Sequence, residues 1–140
     1  MYIYFSGSIR GREPDCAWFQ QLIKHIQNHG RVMTEHSFDF SYEQEITKDD
    51  VWIYTTDMEW LKESDALIAE ITAPSLCVGY EIAKAEMWRI PMLLLYRHTP
   101  NRKPSAMLNG NKKLSMIIYD EKKEAFEAID KFLTELNPNA

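Results

Sequence analysis

Short apolar runs alternate with longer amphipathic segments along the 140 residues of this chain. Runs rich in β-branched, aromatic and other apolar residues predict five strands, over residues 2–5, 31–35, 65–71, 90–96 and 116–119. Apolar residues that recur every three or four positions predict helices, over residues 15–28, from 47 or 49 to 63, 79–89 and 122–136. Gly30 is predicted to cap the first helix, and residues 36–46 and 97–113 are predicted to be long connections.

This alternation predicts a parallel sheet that is covered by helices on both faces. Right-handed crossovers favour an α/β, flavodoxin-like three-layer sandwich with strand order 2-1-3-4-5, formed by a single domain over residues 1–140. Ligands of such sheets bind outside the carboxyl ends of the strands, where the strand order reverses. We therefore expect the loops at 6–12 and 74–81 to converge on one crevice.

Composition narrows the possible functions. The net charge of −5 argues against a nucleic-acid-binding surface, so a phosphorylated small ligand would have to be held by local positive charge. No apolar run approaches the roughly 18 residues of a membrane span, and the chain is expected to enter its first strand without a signal peptide. Cys16 and Cys77 have no metal-ligand spacing and do not suggest a disulfide framework, which favours a reducing, cytoplasmic compartment.

The segment 74–81 is the most distinctive part of the chain, because it joins an apolar strand to a helix through small residues. Backbone N–H groups at such a helix start bind phosphate and other anions. Glu81 follows Gly79 by two positions and is expected to project from the first helical turn into the crevice. From this pattern alone, Glu81 is equally compatible with a role that only complements the helix dipole.

Three other features are open to a chemical or a structural interpretation. Arg10 and Arg12 lie among glycines and serines, which suits phosphate oxygens, but solvated loop arginines look the same. Asp57 is either at the border of a buried helix face or a proton donor whose pKa an apolar setting raises. Tyr4, in a central strand, needs a partner for its hydroxyl group. The core stripe predicted beside Asp57 consists of Val51, Tyr54, Met58 and Leu61.

Two carboxylates beside a phosphate-binding loop fit the cleavage of a glycosidic bond. One carboxylate attacks the anomeric carbon, and the other supplies a proton to the leaving base. The histidines fit no catalytic or metal spacing, and we predict that they lie on the surface or at an interface; they are His25, His29, His36 and His98.

Several short segments together resemble the 2′-deoxynucleoside 5′-phosphate N-hydrolases, which are relatives of the nucleoside 2-deoxyribosyltransferases. The matching segments are residues 4–11, 34–36, 57–61, 69–72, 74–76, 78–81 and 105–107. The chain differs from the family pattern in two places. Its first loop has one glycine fewer than the commoner Arg-Gly-Gly-Arg, and Cys77 replaces a glycine.

The resemblance implies hydrolysis of the N-glycosidic bond of 2′-deoxynucleoside 5′-monophosphates, without a metal or an organic cofactor. It implies that Glu81 is the nucleophile, that Asp57 donates a proton to the base, and that Tyr4 positions the nucleophile and the sugar. It also implies a homodimer in which Ser105 reaches the site of the neighbouring subunit. The substrate-binding residues that it implies are Ser6, Gly7, Ser8, Ile9, Arg10, Ser75, Cys77, Gly79, Ser105 and Met107.

Other functions remain open at this point. A nucleoside 2-deoxyribosyltransferase would exchange bases on unphosphorylated nucleosides, whereas Arg10, Ser75 and Ser105 favour a phosphorylated substrate. A preference for ribonucleotides is also open. A non-catalytic nucleotide-binding module would retain the phosphate loop, but a phospho-receiver domain is disfavoured because Asp65 begins the third strand instead of ending it.

Overall fold

The strands form one parallel sheet at the centre of the molecule. The computed structural model describes residues 1–9, 15–38 and 48–140, apart from the side chains of His36 and Phe38. The strands are β1 (Tyr2–Gly7), β2 (Arg31–Val32), β3 (Ala66–Glu70), β4 (Met92–Arg97) and β5 (Ser115–Tyr119). Their order is β2-β1-β3-β4-β5, and every neighbouring pair is parallel, which confirms the predicted flavodoxin-like topology.

Helices cover both faces of this sheet. They are α1 (Cys16–Ile26), α2 (Asp50–Glu63), α3 (Leu76–Met87), α4 (Ala106–Asn109) and α5 (Lys122–Leu136), with a 3₁₀ helix at Glu35–Phe38. The helices α1 and α5 pack on one face, which we call the first face, and α2 and α3 pack on the other, the second face. Among the helices of the described residues, none is long and apolar enough to cross a bilayer.

The side chains of β1 alternate between the two faces, as the period of a strand requires. Ile3 and Phe5 belong to the core of the first face, and Tyr4 belongs to the core of the second. The strand is two residues longer than predicted, because Ser6 and Gly7 continue the parallel register with β3. This extension places Ser6 on the rigid sheet instead of in a loop.

The predicted cap at Gly30 is wrong, since α1 ends earlier, with Gln27 as its C-cap. A side chain at position 30 would place its Cβ in a clash with the carbonyl oxygen of Met1. Glycine is therefore explained there by the close approach of Met1, which directly precedes β1, and not by the end of the helix. The second strand is also shorter than predicted, at two residues, because the 3₁₀ helix follows it.

The predicted core stripe of α2 is only partly correct. Leu61 is fully buried and Met58 packs against the core, but Val51 and Tyr54 are 75% and 52% exposed. The helix therefore meets the sheet through its C-terminal half alone. A helical period shows which residues share a face of the helix, but not how much of the helix reaches the sheet.

Candidate active site

The end of β1 meets α3 on the second face of the sheet, and this contact joins two of the predicted site residues. The Ser6 hydroxyl donates a hydrogen bond of 2.5 Å to Oε2 of Glu81. Ser6 is 1% exposed, and its backbone pairs with Ala69 of β3. The Glu81 carboxylate is thus held at the carboxyl end of the sheet, where the strand order reverses and a ligand is expected.

The start of α3 differs from the prediction. Ser75 is the N-cap, and its hydroxyl accepts a hydrogen bond of 3.3 Å from the N–H of Val78, so the helix begins at Leu76 and not at Gly79. Glu81 consequently lies in the second turn, not in the first. Because the effect of the helix dipole falls off within the first turn, complementing the dipole does not explain this glutamate.

Burial controls the acidity of Glu81. Removal of the carboxyl group from water raises its pKa from 4.5 to about 7. The hydrogen bond from Ser6 opposes this rise, the nearby charge of Asp57 adds to it, and a hydrogen bond from Tyr4 opposes it. The carboxylate is therefore divided between its two protonation states near neutral pH, which is unusual for a glutamate.

Tyr4 is the second hydrogen-bond donor to Glu81, and this bond supplies the partner that its buried position requires. The side chain is 2% exposed. Burial raises the pKa of the Tyr4 hydroxyl well above its ordinary value, and the charges of Glu81 and Asp57 raise it further. Tyr4 therefore remains a neutral donor across the physiological pH range.

Asp57 lies on α2 and is half-buried. Its charge acts on both Tyr4 and Glu81, which shows that the three groups share one cluster. Cys77, which is exposed in the first turn of α3, also acts on Tyr4. The structure therefore brings two carboxylates, a tyrosine hydroxyl and a serine hydroxyl together, as glycosidic chemistry would require.

The residues after Ser6 include a buried hydroxyl group, that of Ser8, which is suited to binding a ligand. Gly7 is buried and Ile9 is half-buried. Ser8 is 1% exposed, and among the described residues its hydroxyl has no hydrogen-bond partner. Buried hydroxyls are normally satisfied, so one without a protein partner beside a crevice is suited to a ligand. Arg10 lies outside the described residues, as do Gly11 and Arg12.

Open space lies over the surface of α3 at Gly79. A Cβ built on Gly79 would meet no atom within 4 Å, so packing within the described chain does not require glycine there. Glycine leaves room at a helix surface for another molecule to approach the backbone. Ser75, which caps this helix, is half-buried next to the same turn.

Two predicted residues, Ser105 and Met107, are exposed in the single chain. Ser105 directly precedes the short helix α4 and is exposed. Met107, inside α4, is 83% exposed. The 97–113 connection therefore contains a helical turn that presents both residues to solvent.

Sequence reasoning did not single out Glu70 as a site residue. This carboxylate ends β3 on the first face, is 4% exposed, and accepts hydrogen bonds of 2.6 Å from the hydroxyl of Tyr119 and from the N–H of Thr72. The hydroxyl of Tyr119 in turn accepts a bond of 2.8 Å from the indole N–H of Trp18. Glu70 lines a cleft of about 390 Å³ that also includes Arg97. The sequence feature that points to Glu70 is its position as a carboxylate at the end of an apolar strand.

Two relatives match most of the chain. A 5-hydroxymethyl-dUMP N-hydrolase of Esox lucius is 41% identical over 134 residues, which cover 92% of each chain. A protein of Syntrophotalea carbinolica, provisionally named 2′-deoxynucleoside 5′-phosphate N-hydrolase 1, is 39% identical over 136 residues, which cover 96% of each.

A solved structure shares the fold. The CMP N-glycosidase BcmB of Clostridium botulinum matches with a TM-score of 0.68 at 20% sequence identity, over 94% of this chain and 99% of that one.

A family model matches nearly the whole length of the chain. Its description is nucleoside 2-deoxyribosyltransferase, and it covers residues 3–137. This range includes β1, α2 and α3, which carry the Glu81 cluster. By this match and by its similarity to the two relatives, the chain belongs to the nucleoside 2-deoxyribosyltransferase family.

Proposed function

We propose that the protein hydrolyses the N-glycosidic bond of 2′-deoxynucleoside 5′-monophosphates to a free base and 2-deoxyribose 5-phosphate. The observation that carries this proposal is the half-buried Glu81 carboxylate, which Ser6 and Tyr4 hold at the carboxyl end of the sheet with Asp57 nearby. The names of the relatives support this reaction class.

In the first step, the ionised Glu81 carboxylate attacks C1′ of the sugar. A C–O bond forms to the carboxylate while the C1′–N bond to the base breaks, and the electron pair of that bond leaves with the base. Asp57 donates a proton to the departing base, which neutralises its developing charge. Ser6 and Tyr4 hold the attacking carboxylate in one orientation, so little reorganisation is needed when the reaction occurs.

In the second step, water releases the sugar. The Asp57 carboxylate, having lost its proton to the base, accepts a proton from water as the water oxygen attacks C1′. The bond from C1′ to Glu81 breaks, and the carboxylate is regenerated with the proton on Asp57. The net reaction consumes one water and requires no oxidant or metal.

The 5′-phosphate is proposed to bind between the end of β1 and the start of α3. Ser8 offers a buried hydroxyl, and the first turn of α3 would supply backbone N–H groups. Arg10 would supply the positive charge that the net charge of the protein does not provide.

The active form is proposed to be a homodimer. Large apolar side chains are exposed on and beside the helices that carry the site, which is typical of a surface that another chain covers. They are Val51 (75%), Tyr54 (52%), Leu76 (94%), Met87 (70%) and Met107 (83%). Ser105 and Met107 would then reach the site of the partner, which accounts for their exposure within one chain.

We also place the protein in the cytoplasm. Both cysteines are free thiols in the structure, and a reducing compartment maintains thiols.

Release of free base from a panel of nucleotides tests the proposal. Each 2′-deoxynucleoside 5′-monophosphate is paired with its unphosphorylated nucleoside and its ribonucleotide, with and without a second base as acceptor. We expect hydrolysis of the phosphorylated deoxy forms only. Glu81→Ala should abolish it, and Glu86→Ala, an exposed change on the same helix, should not.

Other outcomes would redirect the assignment. Base exchange on unphosphorylated nucleosides would make the protein a transferase and remove the phosphate role of Ser8 and Arg10. Nucleotide binding without any base release would indicate a binding module. Trapping of a sugar adduct on Glu81 by mass spectrometry would test the covalent intermediate separately from the overall reaction.

A further inference from the structure

A cluster of two histidines and one aspartate lies between α1 and α5, on the first face of the sheet. Nε2 of His25 and Nε2 of His29 each lie 2.7 Å from Oδ1 of Asp130. The three donor atoms all lie within 4.8 Å of one another. The sequence prediction did not consider that His25 and His29 are four residues apart, with His25 in the last turn of α1 and His29 in the turn that follows the helix.

This cluster is separate from the proposed active site. The Glu81 carboxylate lies among the helices of the second face, whereas His25 and Asp130 belong to the helices of the first. The histidine side chains are 23% exposed and that of Asp130 is 48% exposed. The cluster is thus accessible from solvent, and an inference about it does not depend on the proposed hydrolase reaction.

The donor set suits a transition-metal ion. Imidazole nitrogens and carboxylate oxygens are ligands of Zn²⁺ at about 2.0–2.2 Å, which separates tetrahedral ligands from one another by roughly 3.3 Å. The two N–O separations of 2.7 Å would need to open by about 0.6 Å to admit the ion. Such a shift requires only small side-chain rotations, because the groups are partly exposed.

Neighbouring groups restrict the orientation of the ligands. The ring of His25 stacks on Phe126, with 4.4 Å between the ring centroids, and this contact fixes the plane of the imidazole. Oδ1 of Asp130 lies within hydrogen-bond distance of both imidazoles, so the three groups are already held together.

We propose that His25, His29 and Asp130 form a binding site for a divalent transition-metal ion of the zinc type. The ion would have three protein ligands and an open fourth position for water, and it would join the C-terminal end of α1 to α5. Without the ion, the same groups form a hydrogen-bonded triad, so the fold does not depend on the metal.

Titration of the metal-free protein with ZnCl₂ in a calorimeter tests this site. A Cys77→Ser background removes the exposed thiol as a competing ligand. We expect one ion per chain, together with the visible absorption of tetrahedral cobalt when Co²⁺ replaces Zn²⁺. Mutation of a residue that only hydrogen-bonds to a metal ligand lowers the metal affinity by about 10–100-fold. His29→Ala and Asp130→Asn each remove a ligand, so each should lower the zinc affinity by more than about 100-fold.

His98→Ala is the matched control, because His98 pairs with Asp120 at 3.0 Å but does not belong to the cluster. Its zinc affinity should equal that of the background protein. Circular dichroism establishes that each variant is folded before its titration is interpreted. Absence of zinc binding in the background protein would overturn the proposal. So would a zinc affinity of Asp130→Asn equal to that of the background protein, or an equal loss of zinc affinity in His98→Ala and His29→Ala.

Discussion

Replacing Glu81 with glutamine should stabilise the protein at alkaline pH while it removes the nucleophile. The carboxyl group is half-buried, and burial raises its pKa from 4.5 to about 7. Between these two values the folded chain holds a proton that the unfolded chain has released. Stability therefore falls as the pH rises from 4.5 to about 7, and the full penalty is present above that range.

The size of the effect follows from the same pKa values. A rise from 4.5 to about 7 corresponds to about 3 kcal/mol of unfolding free energy at high pH. Part of that penalty is already present at pH 5.5. The stability difference between Glu81→Gln and wild type should consequently grow by about 2 kcal/mol between pH 5.5 and 8.5. Any pH-independent effect of the substitution cancels in this comparison.

Thermal unfolding at one fixed protein concentration measures this difference, since an oligomer would make the midpoint depend on concentration. For a chain of this size, about 2 kcal/mol corresponds to a gain of roughly 6 °C in Tm at the higher pH. Glu135→Gln, an exposed change on α5, is the control and should show no such growth. A difference that stays constant with pH, or that shrinks as the pH rises, would refute the reasoning.

Four further predictions test the site and the fold. The value of kcat/KM should fall about tenfold per pH unit below pH 7, because attack requires ionised Glu81, and a flat base-release profile from pH 5.5 to 8 would contradict this role. Asp57→Asn should lower kcat by about 100-fold or more, whereas Asp50→Asn on the same helix should not; equal rates in an enzymatic assay would exclude proton donation. Tyr119→Phe should cost about 1–3 kcal/mol in urea unfolding, because it leaves a buried carboxylate without one of its donors, and an unchanged midpoint would contradict the importance of that bond. Leu76→Glu should convert a dimer to a monomer in sedimentation and reduce activity, and a monomeric wild type would rule out the dimer.

The topology could be predicted because it rests on strong local signals. The five apolar runs and their intervening helices were recognisable from periodicity, and the handedness of the crossovers then left few strand orders. Element ends were less predictable. The helix α3 begins at Leu76, three residues before the predicted start, since the capping hydroxyl of Ser75 and its N–H partner decide where the helix begins.

In the candidate site, the identity of key residues could likewise be predicted, but the contacts between them could not. Tyr4 and Glu81 were named from the sequence, but neither the pattern nor the resemblance gave the hydrogen bonds that join them or the pKa of the carboxyl group. Glu70 was missed because its importance depends on Tyr119, which lies 49 residues further along the chain. The His25–His29 pair was missed for a related reason, since its third member is on α5.

The sequence by itself determined the fold class, the family and the identity of the residues that could act, because periodicity and short motifs are local properties of the chain. Only the tertiary structure decided which of those residues meet. The burial that changes the acidity of Glu81 and the convergence of His25, His29 and Asp130 both arise from contacts between distant segments. Such contacts depend on the packing of helices on the sheet, and no local pattern specifies that packing to within a hydrogen-bond length.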